Sequence, residues 1–164
     1  MTGSPTIAVK RQLVVFETAG ERFAADIFAV ERVLRFTPPR LLPNAAPWLR
    51  GVIDHGGAAI PVVDLRERLG LPARAATEQS RILVVVVGET RVGVTVDVVH
   101  AVRTVEAAAV EPPPAIYRGL AKEYLEGVVR DGGDLLVLLD TRHLLTSTET
   151  VEMERALTTG GRDG

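Results

Sequence analysis

Three histidines, at 55, 100 and 143, and three serines, at 4, 80 and 147, are the first side chains of this 164-residue sequence that suggest chemistry. A nucleophilic triad needs Ser, His and a carboxylate converging on a preorganised oxyanion site. No Gly-x-Ser-x-Gly turn presents a serine here, and Ser4 falls in a stretch that reads as a tail. Cysteine is absent, which removes thiolate nucleophiles, thiolate metal ligands and disulfides. The histidines lack the His-x-x-x-His spacing that sets two zinc ligands on one helix face. Asp64 and Asp140 occupy matching contexts and could be read as an acid–base pair. Each follows an apolar run and precedes a short helical stretch, so a helix-capping role suits them better, and Glu67 three residues after Asp64 supports it. His55, just before a Gly-Gly turn, could make a pH-sensitive contact or simply be an exposed turn residue. The expectation is a protein with no catalytic residue, no metal and no cofactor.

The elements that must carry these residues are mostly strands. Leu13 to Thr18, Ile82 to Val87, Val92 to Val96 and Leu135 to Leu139 are rich in β-branched and aliphatic residues and are bounded by turn residues. Helix is expected only in short pieces, at Arg66 to Leu69, Arg142 to Leu145 and a C-terminal segment from Glu149 to Leu157 carrying Val151, Met153 and Leu157. The pattern is that of an all-β, barrel-rich protein.

An internal repeat organises the chain. Residues 49–69 align without gaps on 125–145, 76 residues on, with Leu49, Gly51, Val52, Gly56, Gly57, Asp64, Arg66 and Leu69 recurring identically. Each copy reads as strand, Gly-Gly hairpin, apolar strand and capped helical turn. A looser match sets Glu21 to Ala25 beside Thr90 to Val94. Two tandem β units follow, at about 12–80 and 81–146, joined through the Pro-containing stretch 70–80. Residues 1–11 read as a flexible tail and 147–164 as a C-terminal helix and tail. Two small barrels side by side would leave a groove between them, which is a binding architecture.

Composition narrows the partners. Net charge is −2 and the pI about 5.9, with basic residues scattered among acidic ones, so no basic face for a phosphate backbone is expected. Aromatics make up 4%, too few to stack bases. The strongest apolar run, Ile82 to Val87, is far short of the roughly 20 residues of a membrane span. A cytoplasmic protein that neither binds nucleic acid nor inserts in a membrane is the expectation.

Four segments together carry a family resemblance: Leu49-Arg-Gly-Val-Ile53, Ile60-Pro-Val-Val-Asp-Leu-Arg66, Arg91-Val-Gly-Val-Thr-Val-Asp97 and Tyr124-Leu-Glu-Gly-Val-Val129. In order and spacing they resemble the successive signatures of CheW-like domains, from about Leu13 to Leu145. The resemblance implies two SH3-like β-barrels side by side, and a non-enzymatic adapter in a chemosensory array. Its partners would be a chemoreceptor's cytoplasmic tip and the regulatory domain of a CheA-type histidine kinase, and its partners would hold it at membrane-associated arrays. It also implies a receptor-facing groove at Ile27, Val30 and Val33, with Val98 and Val99 in the second unit, and a kinase contact at Ile116. Apolar side chains in such a groove could hold a helical hairpin, or could simply be core.

Two departures matter. Where the family often has Asn-Leu-Arg-Gly, this chain has Asp54-His55-Gly56-Gly57, and a commonly acidic position two after the groove valine is Arg32. Losing the base at Gly56 while reversing the acid at Arg32 looks coordinated, since either change alone would leave a charge uncompensated at an interface. A divergent accessory adapter, binding the kinase or other CheW-like domains without standard receptor coupling, is the alternative reading.

Overall fold

A computed structural model describes residues 9–43, 46, 48–114, 124–145, 149 and 155. Ten strands run in chain order: β1 (Lys10–Thr18), β2 (Glu21–Asp26), β3 (Val30–Arg35), β4 (Leu49–His55), β5 (Ala58–Asp64), β6 (Arg81–Val87), β7 (Thr90–Val96), β8 (Val98–Glu106), β9 (Leu125–Asp131) and β10 (Asp134–Leu139). A single-turn helix α1 (Leu65–Arg68) follows β5, and 3₁₀ turns lie at Ala107–Ala109 and Thr141–His143. Asp64 accepts a hydrogen bond from the Arg66 backbone N–H at 2.9 Å, and Asp140 does the same for Arg142 at 3.1 Å. Both carboxylates therefore cap, as their sequence contexts predict.

The strands form two five-stranded sheets, β8-β1-β2-β10-β9 and β3-β6-β7-β5-β4. Each sheet takes a hairpin from one half of the repeat and three strands from the other. The halves join through the parallel pairs β2–β10 and β5–β7 and the antiparallel pairs β1–β8 and β3–β6. The registers of the two sheets correspond: Val30 opposes Val85 and Val33 opposes Leu83, as Val99 opposes Phe16 and Val102 opposes Val14, with a bulge between them in both ladders. Equivalent residues of β3 and β8 are thus 69 apart, at positions such as 30 and 99.

The expected SH3-like barrels are not formed. Each sheet curls around its own apolar cluster, Leu13, Val15, Ala24, Val129, Leu136 and Leu138 in the first, and Ile53, Ile60, Val62, Ile82 and Val84 in the second. Yet β8 does not pair with β9, nor β3 with β4, and a seam remains between the two edges of each sheet. One isolated bridge spans each seam's end, Arg40 with Val52 and Glu111 with Val128. Prolines explain why the pairing goes no further: Pro38 and Pro39 precede Arg40, and Pro112 to Pro114 follow Glu111, and none has an N–H to extend a ladder.

At each bridge the neighbouring strand carries a glycine. A Cβ at Gly51 would collide with the Arg40 carbonyl oxygen, and one at Gly127 with that of Glu111. The glycines of the repeat therefore serve close backbone approach at these two points.

The largest core lies between the sheets, where Phe16 stacks on Phe23 with centroids 5.9 Å apart. Trp48 and Tyr124, one residue before each aligned copy, sit on either side of Arg68, whose guanidinium lies 5.3 and 5.8 Å from their ring centroids. Arg68 also donates to the Leu144 carbonyl and forms two bonds, 2.8 and 2.9 Å, with Glu149. Leu144 is the counterpart of Arg68 in the second copy, so equivalent positions meet where the halves join. Of the C-terminal helix expected from Glu149 to Leu157, only Glu149 and Arg155 are described, both helical. The remainder lies outside the described residues.

Candidate functional site

The groove candidates follow the two crossings between sheets. The turn 27–29 carries the chain from β2 in the first sheet to β3 in the second, and Asp97 carries it back from β7 to β8. Asp26 anchors the first turn by accepting from the Phe28 backbone N–H at 2.9 Å, and the Ile27 N–H donates to the Gln12 carbonyl. The second crossing is held by Asp97, which accepts from the Ala19 backbone N–H and pairs with Arg66 at 2.6 Å. Burial alone would raise the Asp97 carboxyl, but the bonds from Arg66 and Ala19 outweigh it and hold it below the ordinary carboxylate range.

Val30 and Val99 are half-buried and pack against the inter-sheet core, so both are partly structural. Ile27 and Val98 are also half-buried. Val33 lies in solvent at 44% exposure, and its register equivalent Val102 at 47%. Beside Ile27, Phe28 is 91% exposed. Sequence reasoning passed over Phe28 and Val102. Two signals pointed to them: Phe28 is one of only four phenylalanines, and Val102 stands to Val99 as Val33 does to Val30. Apolar side chains held this openly on edge strands are contact material.

Arg32 is exposed on β3, and among the described residues it has no ion-pair partner. The neighbouring Glu31 is taken by Arg91 of β7 at 2.9 Å, an exposed pair of little energetic weight. Gly56 sits in the β4–β5 hairpin with φ of 61°. A side chain there would be held in the left-handed region, which disfavours arginine whatever the partner. Ile116 lies outside the described residues.

A groove of about 720 Å³ occupies the seam of the second sheet, lined by Leu34 and Arg35 of β3, by Arg40, and by Ile53, Asp54 and His55 of β4. His55 closes β4 and faces this groove as a half-buried residue. Among the described residues no group of His, Asp and Glu could hold a metal ion, and no helix is long and apolar enough to cross a membrane.

Apolar side chains exposed on the edge strands of a two-sheet frame suit a protein that works by contact. Comparison with known proteins names the class more closely. The model of the CheW-like domain matches residues 12–149. The chain is 31% identical to the chemotaxis protein CheW of Rhizobium meliloti over 139 residues, covering 85% of this chain and 90% of the relative. It is 29% identical to the CheW of Bacillus subtilis, with 85% and 89% covered. The crystal structure of the scaffolding protein TtCheW from Thermoanaerobacter tengcongensis superposes with a TM-score of 0.78 at 28% identity, covering 86% of this chain and 97% of that one. The chain belongs to the CheW-like family of non-enzymatic adapters, which link receptors to CheA kinases in chemosensory arrays.

Proposed function

We propose that this chain joins a chemoreceptor's cytoplasmic tip to the regulatory domain of a CheA-type kinase, and that it does so in the cytoplasm, held at membrane-associated arrays by those partners. The observation that carries the receptor side is the exposed apolar material at the first crossing, Phe28 and Val33, beside the half-buried Ile27 and Val30. Burying such side chains against a helical hairpin supplies affinity, with neighbouring charges choosing the partner. Val98, Val99 and Ile116 belong to the same proposal, the last as a kinase contact. Control of the kinase then comes from binding and geometry, by shifting populations.

The accessory reading draws support from Arg32 and Gly56. An exposed arginine with no ion-pair partner among the described residues, and a glycine in the left-handed region, are poorly suited to a receptor surface that expects an acid and a base at these two places. On this reading, Gly56→Arg together with Arg32→Glu brings no gain in affinity for the chain's own partner, and a clear gain would sink it. Co-purification of the tagged protein from its own cells at low ionic strength, with mass spectrometry, separates the two readings. Recovery of both receptor and kinase supports coupling. Kinase or other CheW-like domains without receptor supports the accessory role.

A further inference from the structure

The two seams occupy equivalent places but are treated differently. In the first sheet, Arg103 of β8 reaches Asp131 at the end of β9 at 3.5 Å, and Arg130 pairs with Glu111 at 3.1 Å, so ion pairs lace edge to edge. The register equivalents in the second sheet are Leu34 for Arg103 and His55 for Asp131, with Asp54 for Arg130 and Arg40 for Glu111. The first substitution removes the clip outright. The second reverses both signs, yet among the described residues neither Arg40 nor Asp54 forms an ion pair. At this seam lies the groove of about 720 Å³ between two edge strands. Its floor is Leu34 and Ile53 over the second sheet's own cluster.

We propose that this seam receives an extended segment of a partner protein, alternately apolar and acidic, added as a strand between β3 and β4. β3 pairs with β6 alone and β4 with β5, apart from the Val52 bonds to Arg40, so beyond that bridge the groove-facing backbone groups, Asp54's on β4 among them, have no ladder partner among the described residues. The Arg40–Val52 bridge, with reciprocal bonds of 2.8 and 2.9 Å, is the same pairing begun by the chain itself at the groove's end. The apolar floor takes alternate side chains of the segment. The rim selects charge: Arg35 and Arg40 have no acidic partner among the described residues and outnumber Asp54. The proposal goes beyond receptor and kinase coupling and stands apart from it, because its test contains neither protein.

The test uses fluorescently labelled, end-capped peptides: Glu-Val-Glu-Val-Glu-Val, its Lys-for-Glu counterpart, and a backbone N-methylated form of the acidic peptide. Anisotropy should show saturable binding of the acidic peptide alone, with amide shifts in β3 and β4. The paired substitution Leu34→Arg with His55→Asp, which installs the first seam's clip, should weaken binding by at least about tenfold. Arg35→Glu with Arg40→Glu should do the same without occupying the floor. Absence of saturable binding, equal binding of the Lys peptide, equal binding of the N-methylated peptide, or undiminished binding to the clipped protein would each overturn the proposal.

Discussion

Two exposed ion pairs, Arg103–Asp131 and Arg130–Glu111, cross the first sheet's seam, whereas among the described residues none crosses the second, where a groove lies between Leu34 and His55. The two sheets share strand order, register, bulges and the glycine beneath the closing bridge. Among the differences are the side chains on the edges, where Arg103 and Asp131 correspond to Leu34 and His55. A duplicated fold thus keeps its backbone plan while its edges diverge, one crossed by ion pairs and one left to contact.

The features that the seams share should give the largest effects. Gly51→Val drives a side chain into the Arg40 carbonyl at a backbone φ of 147°, and Gly127→Val does the same at Glu111. Each should cost about 3 kcal/mol in urea unfolding, with Gly51 the more severe because of its φ. A cost near zero at either position would mean that the bridges do not hold the seams.

Next comes an asymmetry between the two copies. Arg66 is buried against Asp97, whereas its counterpart Arg142 is exposed and folds back on its own cap, Asp140. Arg66→Ala should cost about 2 kcal/mol by stranding a partly buried carboxylate, and Arg142→Ala, at an exposed side chain, should move the unfolding midpoint far less. Equal effects would erase the distinction.

The acid side follows from the same pair. Asp97 and Asp140 are held below the ordinary carboxylate value in the folded chain. Their contribution is therefore complete above the unfolded pKa of about 3.9 and lost as pH falls through the folded values. Asp97→Asn should flatten the fall in stability below about pH 4 while leaving some of it to Asp140. An unchanged acid limb would contradict the assigned partners.

The smallest effect is expected at the clip itself. Arg103 and Asp131 are partly exposed, so Arg103→Ala should change stability by less than about 1 kcal/mol. Its signature should be local, as faster amide exchange along β9 with other strands unaffected.

Much of this was legible in the sequence. The 76-residue repeat located both hairpins, both caps and the glycines, because those positions are constrained by backbone geometry and recur as identities. The exchange of strands between halves was not legible. Alternation tells which face of a strand is buried but not which strand lies beside it, and the partner is decided by the crossings at 27–29 and Asp97. β3 and β8 did not read as strands, since Val-Glu-Arg-Val-Leu-Arg and most of β8 are exposed and lack a buried stripe. Tyr124 stood in the fourth signature, but its correspondence with Trp48 escaped because the two match in place and not in identity. The barrels were expected from the strand pattern and the repeat as well as from the family, and the prolines beside Arg40 and Glu111 were the overlooked sign that pairing would stop short. Of the groove candidates, Val30 and Val99 carry a packing duty that their residue type could not reveal.

Contact with the receptor through the β3 edge is the central prediction. The direct measurement is analytical ultracentrifugation of the purified chain mixed with a CheA-type kinase's regulatory domain and a chemoreceptor's cytoplasmic fragment from the same cells. The wild-type chain should sediment with both, and Val33→Asp should release the receptor fragment while keeping the kinase domain. A Val33→Asp protein that still carries both partners with undiminished affinity would contradict the account.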